Sequence, residues 1–232
     1  MEDLNMSAIA RNLSEVREAV ANEARKASRA ADSVRLLAVS KTFPAEDVKE
    51  AYDAGQRMFG ENRVQELEAK APLLPADIEW HLIGHLQSNK AAKAVEYASW
   101  IHSVDSGKLL DRIAKAAERC GKTVNVLLEV NISGEASKFG LRDYGEIREI
   151  AAGALNMRHL RLRGLMTMAE FDASEARLHE TFAGLRAMRD RLECELDVRL
   201  PELSMGMSSD YPAAIAEGAT IVRIGTAIFG RR

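Results

Sequence analysis

Short apolar runs alternate with helix-patterned segments along most of the chain. The runs are Arg35–Ser40, Arg57–Gly60, Glu79–Ile83 and Trp100–Val104 in the first half. In the second half they are Val124–Asn131, Leu162–Thr167, Glu202–Gly206 and Thr220–Ile224. Short apolar runs between turn signals are the pattern of strands buried on both faces. Helical patterns follow all but the last, over 44–54, 61–71, 88–98, 106–120, 143–156, 173–195 and 211–217. The last run leads into a turn, Gly225–Phe229. Ahead of the first run, residues 4–31 predict a long amphipathic helix. Ile9, Leu13, Val16, Val20 and Ala24 share one face, and Arg11, Glu15, Glu18, Asn22 and Lys26 the other.

Several boundaries carry local signals. Pro44 opens one helix and Gly55 closes it; Asp210 precedes Tyr211-Pro212 as a cap, and Gly218 and Gly121 end helices. Eight strands with helices between them predict an α/β fold, a (β/α)₈ TIM barrel with an extra N-terminal helix. A doubly wound open sheet is the rival. The sequence holds no Gly/Ser linker, low-complexity tract or internal repeat, so it predicts a single domain over 1–232. The N-terminal helix lies within 1–34 and the barrel over 35–230.

Composition narrows the function classes. Hydrophobic residues at 47% and charged residues at 29% fit a soluble globular protein. Lys and Arg number 32 against 35 Asp and Glu, and the net charge of −3 gives no general attraction to nucleic acid or anionic membrane. The sequence has no apolar run long enough for a transmembrane helix, and the acidic start Met1-Glu2-Asp3 does not read as a secretory signal. Cys120 and Cys194 are too few for a disulfide framework or a zinc site. They are expected as free thiols in a reducing, cytoplasmic setting.

A barrel of this kind does its chemistry where strands end. The first run closes on Ala38-Val39-Ser40-Lys41, and a partly desolvated lysine at a barrel mouth is a candidate nucleophile toward a carbonyl. The alternative is a lysine turned outward into solvent. His81 and His85 stand four apart, but across a strand and its exit loop, so a metal pair is not expected and a buried, hydrogen-bonded His81 is. Gly84 to Lys90 lacks the second glycine and the Ser/Thr of a phosphate loop. Glu129-Val130-Asn131 and Leu165-Met166-Thr167 could line a pocket or merely pack. Ser204-Met205-Gly206-Met207-Ser208 and Ile224-Gly225-Thr226 place small and hydroxyl residues before two helix starts, where backbone N–H groups can converge on a phosphate. Arg223 interrupts a branched apolar strand and is expected at the barrel top, with a structural ion pair as its alternative role.

Taken together these segments resemble a known family. Ala38-Val39-Ser40-Lys41-Thr42, Phe59-Gly60-Glu61-Asn62, Trp80-His81-Leu82-Ile83-Gly84 and Leu86-Gln87-Ser88-Asn89-Lys90 are similar to motifs of the pyridoxal phosphate homeostasis proteins. So are Leu165-Met166-Thr167-Met168, Ser204-Met205-Gly206-Met207-Ser208 and the stretch from Val222 to Gly230. That family looks like the barrel domain of bacterial alanine racemases without their second, β-rich domain. The resemblance implies that Lys41 carries pyridoxal 5′-phosphate (PLP) as a covalent aldimine (a Schiff base). It implies that Ser208, Gly225 and Thr226 bind the phosphate, that Arg223 faces the pyridine nitrogen, and that Asn62 and His81 line the pocket. No residue is assigned a catalytic or metal-binding role.

The implied function is intracellular PLP homeostasis with little or no turnover, supplying PLP-dependent apo-enzymes, as a monomer rather than a dimer. A guanidinium only donates hydrogen bonds, so it leaves the ring nitrogen unprotonated and the ring a weak electron sink. Racemization also needs a second acid/base, a tyrosine from the other domain in the racemases, and Tyr52, Tyr97, Tyr144 and Tyr211 match no such motif. The contrasting functions are an amino-acid racemase using Lys41, and a barrel enzyme joining Lys41 to a sugar phosphate.

Overall fold

The computed structural model describes residues 6–135 and 139–230. Eight parallel strands follow one another around a closed barrel: β1 (Arg35–Val39), β2 (Met58–Glu61), β3 (Glu79–Leu82), β4 (Trp100–Val104), β5 (Val124–Glu129), β6 (Leu160–Met166), β7 (Glu202–Ser204) and β8 (Ile221–Ile224). β1 pairs with β2 on one side and β8 on the other, Arg35 opposite Ile221 and Ala38 opposite Ile224. This closure excludes the open sheet.

Each strand is followed by a helix: α2 (Ala45–Asp53), α3 (Val64–Lys70), α4 (Ala91–Tyr97), α5 (Gly107–Cys120), α6 (Tyr144–Leu155), α7 (Glu175–Leu196), α8 (Tyr211–Ala216) and α9 (Thr226–Phe229). Side-chain caps define several starts, with Ser106, Asp143 and Ser174 accepting from Leu109, Glu146 and Arg177 N–H groups. The additional helix α1 (Ala8–Lys26) lies outside the barrel against α2, α8 and α9. Its buried Leu13 and Val20 each contribute about 1.5–3 kcal/mol. Asn12 Nδ2 donates to Ile228 O at 3.0 Å, and Arg29 Nη1 to Ile215 O at 2.9 Å, fastening it to the end of the chain.

The helix expected over 4–31 is shorter. It ends at Lys26 because Ser28 turns to φ 57° and Arg29 N–H bonds back to Ala24 O; residues 1–5 lie outside the described part. Asp210 also departs from expectation. It sits at the start of α8, but its carboxylate accepts from Met207 N–H in the preceding turn and caps no helical N–H.

The main apolar layer lies between strands and helices, from Leu13 and Phe59 to Phe182 and Ile228. Inside the barrel, Trp100, Leu127 and Met166 form a separate cluster. The rest of that interior is strongly polar for a core: His81, His102, Ser204 and Arg223 are all buried. Among the described residues no helix is long and apolar enough to cross a membrane. Cys120 and Cys194 are free, exposed thiols.

Candidate functional site at the barrel mouth

Lys41 follows the buried Ser40 at the C-terminal end of β1. The chain on both sides of it is held. Ser40 Oγ donates to Glu61 Oε1 at 2.7 Å, and Lys70 Nζ donates to both Ser40 O (2.8 Å) and Glu61 Oε1 (2.7 Å). On the other side Thr42 N–H donates to Glu66 Oε1 at 2.8 Å. Thr42 adopts φ 69°, a left-handed conformation that costs a β-branched residue about 1–3 kcal/mol. The two carboxylates enforce that turn. Lys41 itself is exposed and makes no hydrogen bond or ion pair with a described residue, so the expected partial desolvation is not found. Its amine stands clear, on a backbone hydrogen-bonded on both sides.

Glu61 is fully buried at the end of β2. Burial raises its pKa to about 7, against the opposing pull of Lys70 and Ser40, and its Oε2 has no hydrogen-bond partner. Asn62 follows, half-buried, with its backbone pressed against Gly84 after β3. A Cβ at Gly84 would meet Asn62 O at 2.3 Å, so only glycine allows the two exit loops to touch. His85 stacks on Phe139 with ring centroids 3.9 Å apart and pairs with Asp105 at 3.2 Å.

Arg223 of β8 is buried beneath the mouth. Nη1 donates to Ser204 Oγ at 2.8 Å and Nη2 to Thr167 O at 2.9 Å. Burial lowers its pKa to about 10, opposed by Asp210 and Glu129, so it is charged at neutral pH. It has no ion pair with a described carboxylate, which removes the structural ion pair offered as its alternative role. Two strand positions along, Gly225 lies against β1, where a Cβ would meet Val39 O at 2.9 Å. Thr226 and Ser208 stand exposed at the starts of α9 and α8. β7, β8 and β1 are consecutive around the barrel, so Ser208, Arg223, Gly225, Thr226 and Lys41 share one arc of the mouth, with Asn62 at its edge.

His81 stands apart from that arc. It is wholly buried inside the barrel, its Nδ1 2.8 Å from His102 Nε2 and its Nε2 2.9 Å from Glu79 Oε1. Both nitrogens are engaged, which fits the hydrogen-bonded histidine expected from the strand but removes it from the pocket lining.

Two residues escaped the sequence reading, Lys70 and His102, and Glu129 was read only as a residue that could line a pocket or merely pack. Glu129 ends β5, across the barrel from β1, and burial beside Asp105 raises its pKa to about 7 despite Arg223. A charged residue closing an apolar strand was the available signal for Glu129. A histidine inside a parallel strand was the signal for His102.

The chain matches the alanine racemase N-terminal domain family over residues 4–232. It is 46% identical to the pyridoxal phosphate homeostasis protein of Pseudomonas aeruginosa, covering 98% of this chain and 97% of that one. The homologue of the same description from Aquifex aeolicus is 41% identical, covering 95% and 96%. Among solved structures, PipY of Synechococcus elongatus with PLP bound superposes with a TM-score of 0.85 at 43% identity, covering 96% of this chain and all of that one. Alanine racemase from Streptomyces coelicolor shares the fold at 21% identity and a TM-score of 0.73, covering 95% of this chain but 59% of its own. With a closed barrel, a clamped lysine at its mouth and these matches over nearly its full length, the chain belongs to the pyridoxal phosphate homeostasis protein family.

Proposed function

We propose that this protein binds PLP at the barrel mouth, keeps the free aldehyde scarce in the cytoplasm and supports its supply to PLP-dependent apo-enzymes. Lys41 is the covalent anchor; Ser208, Gly225 and Thr226 receive the phosphate; Arg223 faces the ring nitrogen and Asn62 lines the edge. The residues suit such a ligand. An unpartnered amine, a charged guanidinium and two exposed hydroxyls share one arc, and Gly225 leaves the backbone bare where a side chain would intrude on Val39. Bound there, PLP supplies an aldehyde for amines and a ring whose electron-accepting power depends on protonation of its nitrogen.

Arg223 is the observation that carries the non-catalytic half of the proposal. It can only donate, and its charge survives burial, so it offers the ring nitrogen no proton. All four tyrosines lie on helices and none on the strands that line the mouth. Tyr52 donates to Asp77 at 2.7 Å, Tyr97 lies on α4, Tyr144 packs under Arg191, and Tyr211 lies in the field of Glu23 and Lys26 of α1.

The test is borohydride reduction of the PLP-loaded protein with mass mapping. Label at Lys41, lost in Lys41→Ala with the circular dichroism unchanged, supports the proposal; label at Lys90 instead overturns it. Glu129, with its raised pKa across the barrel, favours a second function, amino-acid racemization. Loaded protein incubated with L-amino acids in heavy water separates the two. Exchange at the α position at about 1 s⁻¹ or faster with formation of the D-amino acid, both abolished by Glu129→Gln, would establish the racemase, and their absence supports the carrier.

A further inference from the structure

A line of polar side chains, buried except at Glu79, crosses the barrel, and its proton donors follow from its ends inward. At the N-terminal end, Glu79 Oε1 lies 2.9 Å from His81 Nε2. The hydrogen bond from His81, with help from the Trp100 indole N–H and Arg35, holds the Glu79 carboxyl below its usual range, so it is a carboxylate. A carboxylate only accepts, and His81 Nε2 must therefore carry a proton. Burial outweighs Glu79 and Glu202 in lowering the His81 pKa, with Arg35 adding to the effect, so the ring is neutral and its Nδ1 is bare.

That bare nitrogen accepts from His102 Nε2 at 2.8 Å. His102 is held well below the usual imidazole range by burial and by the fields of His81, Arg223 and Arg35. With its proton on Nε2, its Nδ1 accepts from Ser204 Oγ at 2.9 Å. Ser204 has one proton to give, and giving it to His102 turns its lone pairs toward Arg223 Nη1, 2.8 Å away. Each link runs one way, from Arg223 through Ser204, His102 and His81 to Glu79. The opposite tautomers would set His81 Nε2 and Glu79 as two facing acceptors.

The geometry points to Glu79, His81, His102 and Ser204 as positioning residues that fix the guanidinium of Arg223 from inside the barrel, with the carboxylate at the far end dictating the direction of every proton between. This chain of donors rests on the distances together with neutral imidazoles, and not on any ligand. That the oriented guanidinium then faces the ring nitrogen of PLP rests on the function proposed above.

The test uses the full chain labelled with ¹⁵N, with and without PLP. Long-range ¹H–¹⁵N spectra should show His81 and His102 as neutral Nε2–H tautomers at neutral pH, with any titration displaced below the ordinary imidazole range. An Nδ1–H tautomer at either ring, or titration near the ordinary imidazole range, would overturn the assignment. Glu79→Gln, at a side chain 40% exposed, should mix the His81 tautomers while the fold persists. A single tautomer retained in that variant would show that the carboxylate does not set the direction. Ser204→Ala should weaken PLP about tenfold, Ser204→Thr should restore it, and a PLP analogue with carbon in place of the ring nitrogen should be indifferent to both. Undiminished PLP binding in Ser204→Ala with the His102 tautomer unchanged would refute the positioning role. If the parent protein takes up no PLP, the proposed function fails, and the imidazole spectra still decide the chain.

Discussion

Lys70→Met removes the cation from behind the Lys41 turn, and its effect should depend on pH in a way the Glu61 pKa dictates. Glu61 titrates at about 7 in the fold against 4.5 as a free side chain. A carboxyl raised on folding binds its proton more tightly in the folded state. Its contribution is fully present below pH 4.5 and is lost as pH rises through 7. The interval amounts to about 3 kcal/mol in the intact protein. Without Lys70, the buried Glu61 charge keeps only Ser40 Oγ as partner, and Ser40 O loses its donor. At pH 8, where the carboxylate must be buried unpaired or take up a proton, the substitution should cost about 3–5 kcal/mol. At pH 5 Glu61 is already protonated and only hydrogen bonds are lost, about 1–3 kcal/mol. Urea unfolding of both proteins at the two pH values measures the difference, and PLP uptake should fall with it because the backbone on one side of Lys41 is released. Equal destabilisation at pH 5 and pH 8 would refute the reasoning, since Glu61 could then not be titrating between them. Glu61→Gln in the same background should recover part of the loss at pH 8 and little at pH 5.

Ser208→Ala should weaken PLP by about 1.5–3 kcal/mol while leaving pyridoxal, which has no phosphate, nearly unaffected; calorimetric titration with both ligands is the check, and equal weakening would move the phosphate elsewhere. Gly84→Ala should destabilise the fold by about 1–3 kcal/mol, because its Cβ would sit 2.3 Å from the backbone oxygen of Asn62 and no flexible side chain can give way. An unchanged urea midpoint would show that the two exit loops are free to separate.

The barrel was legible because its strands are apolar on both faces and its helices begin and end on residues with a physical reason to be there. Gly121 with φ 61° after α5 and Gly218 with φ 99° after α8 are such residues. The end of α1 was not legible. Ser28 to Ala31 suits a helix, and nothing local announces the left-handed turn at Ser28 (φ 57°), from which the Arg29 side chain reaches a carbonyl 186 residues away. At the site, Lys41 and Arg223 declared themselves as charges at the ends of, or within, apolar strands. Their supports did not. Lys70 meets Glu61 across nine residues with no helical period linking them, and Ser204 gives no local sign that it stands between a guanidinium and an imidazole. His81 shows the converse, since its motif suggested a pocket residue and only the fold reveals that both its nitrogens are spent below the mouth.

The fastening of α1 to the end of the chain also bears on how the protein is made. Asn12 waits for a carbonyl 216 residues later, and β1 gains its second neighbour only when β8 emerges. At 5–20 residues per second that wait lasts roughly 10–40 s on the ribosome. Throughout it, the apolar stripe of Leu13, Val20 and Ala24 lacks its final cover, and one edge of β1 presents unpaired backbone groups to any passing strand. Closure is therefore among the last events of folding, delayed by the distance along the sequence between the first helix and the last strand.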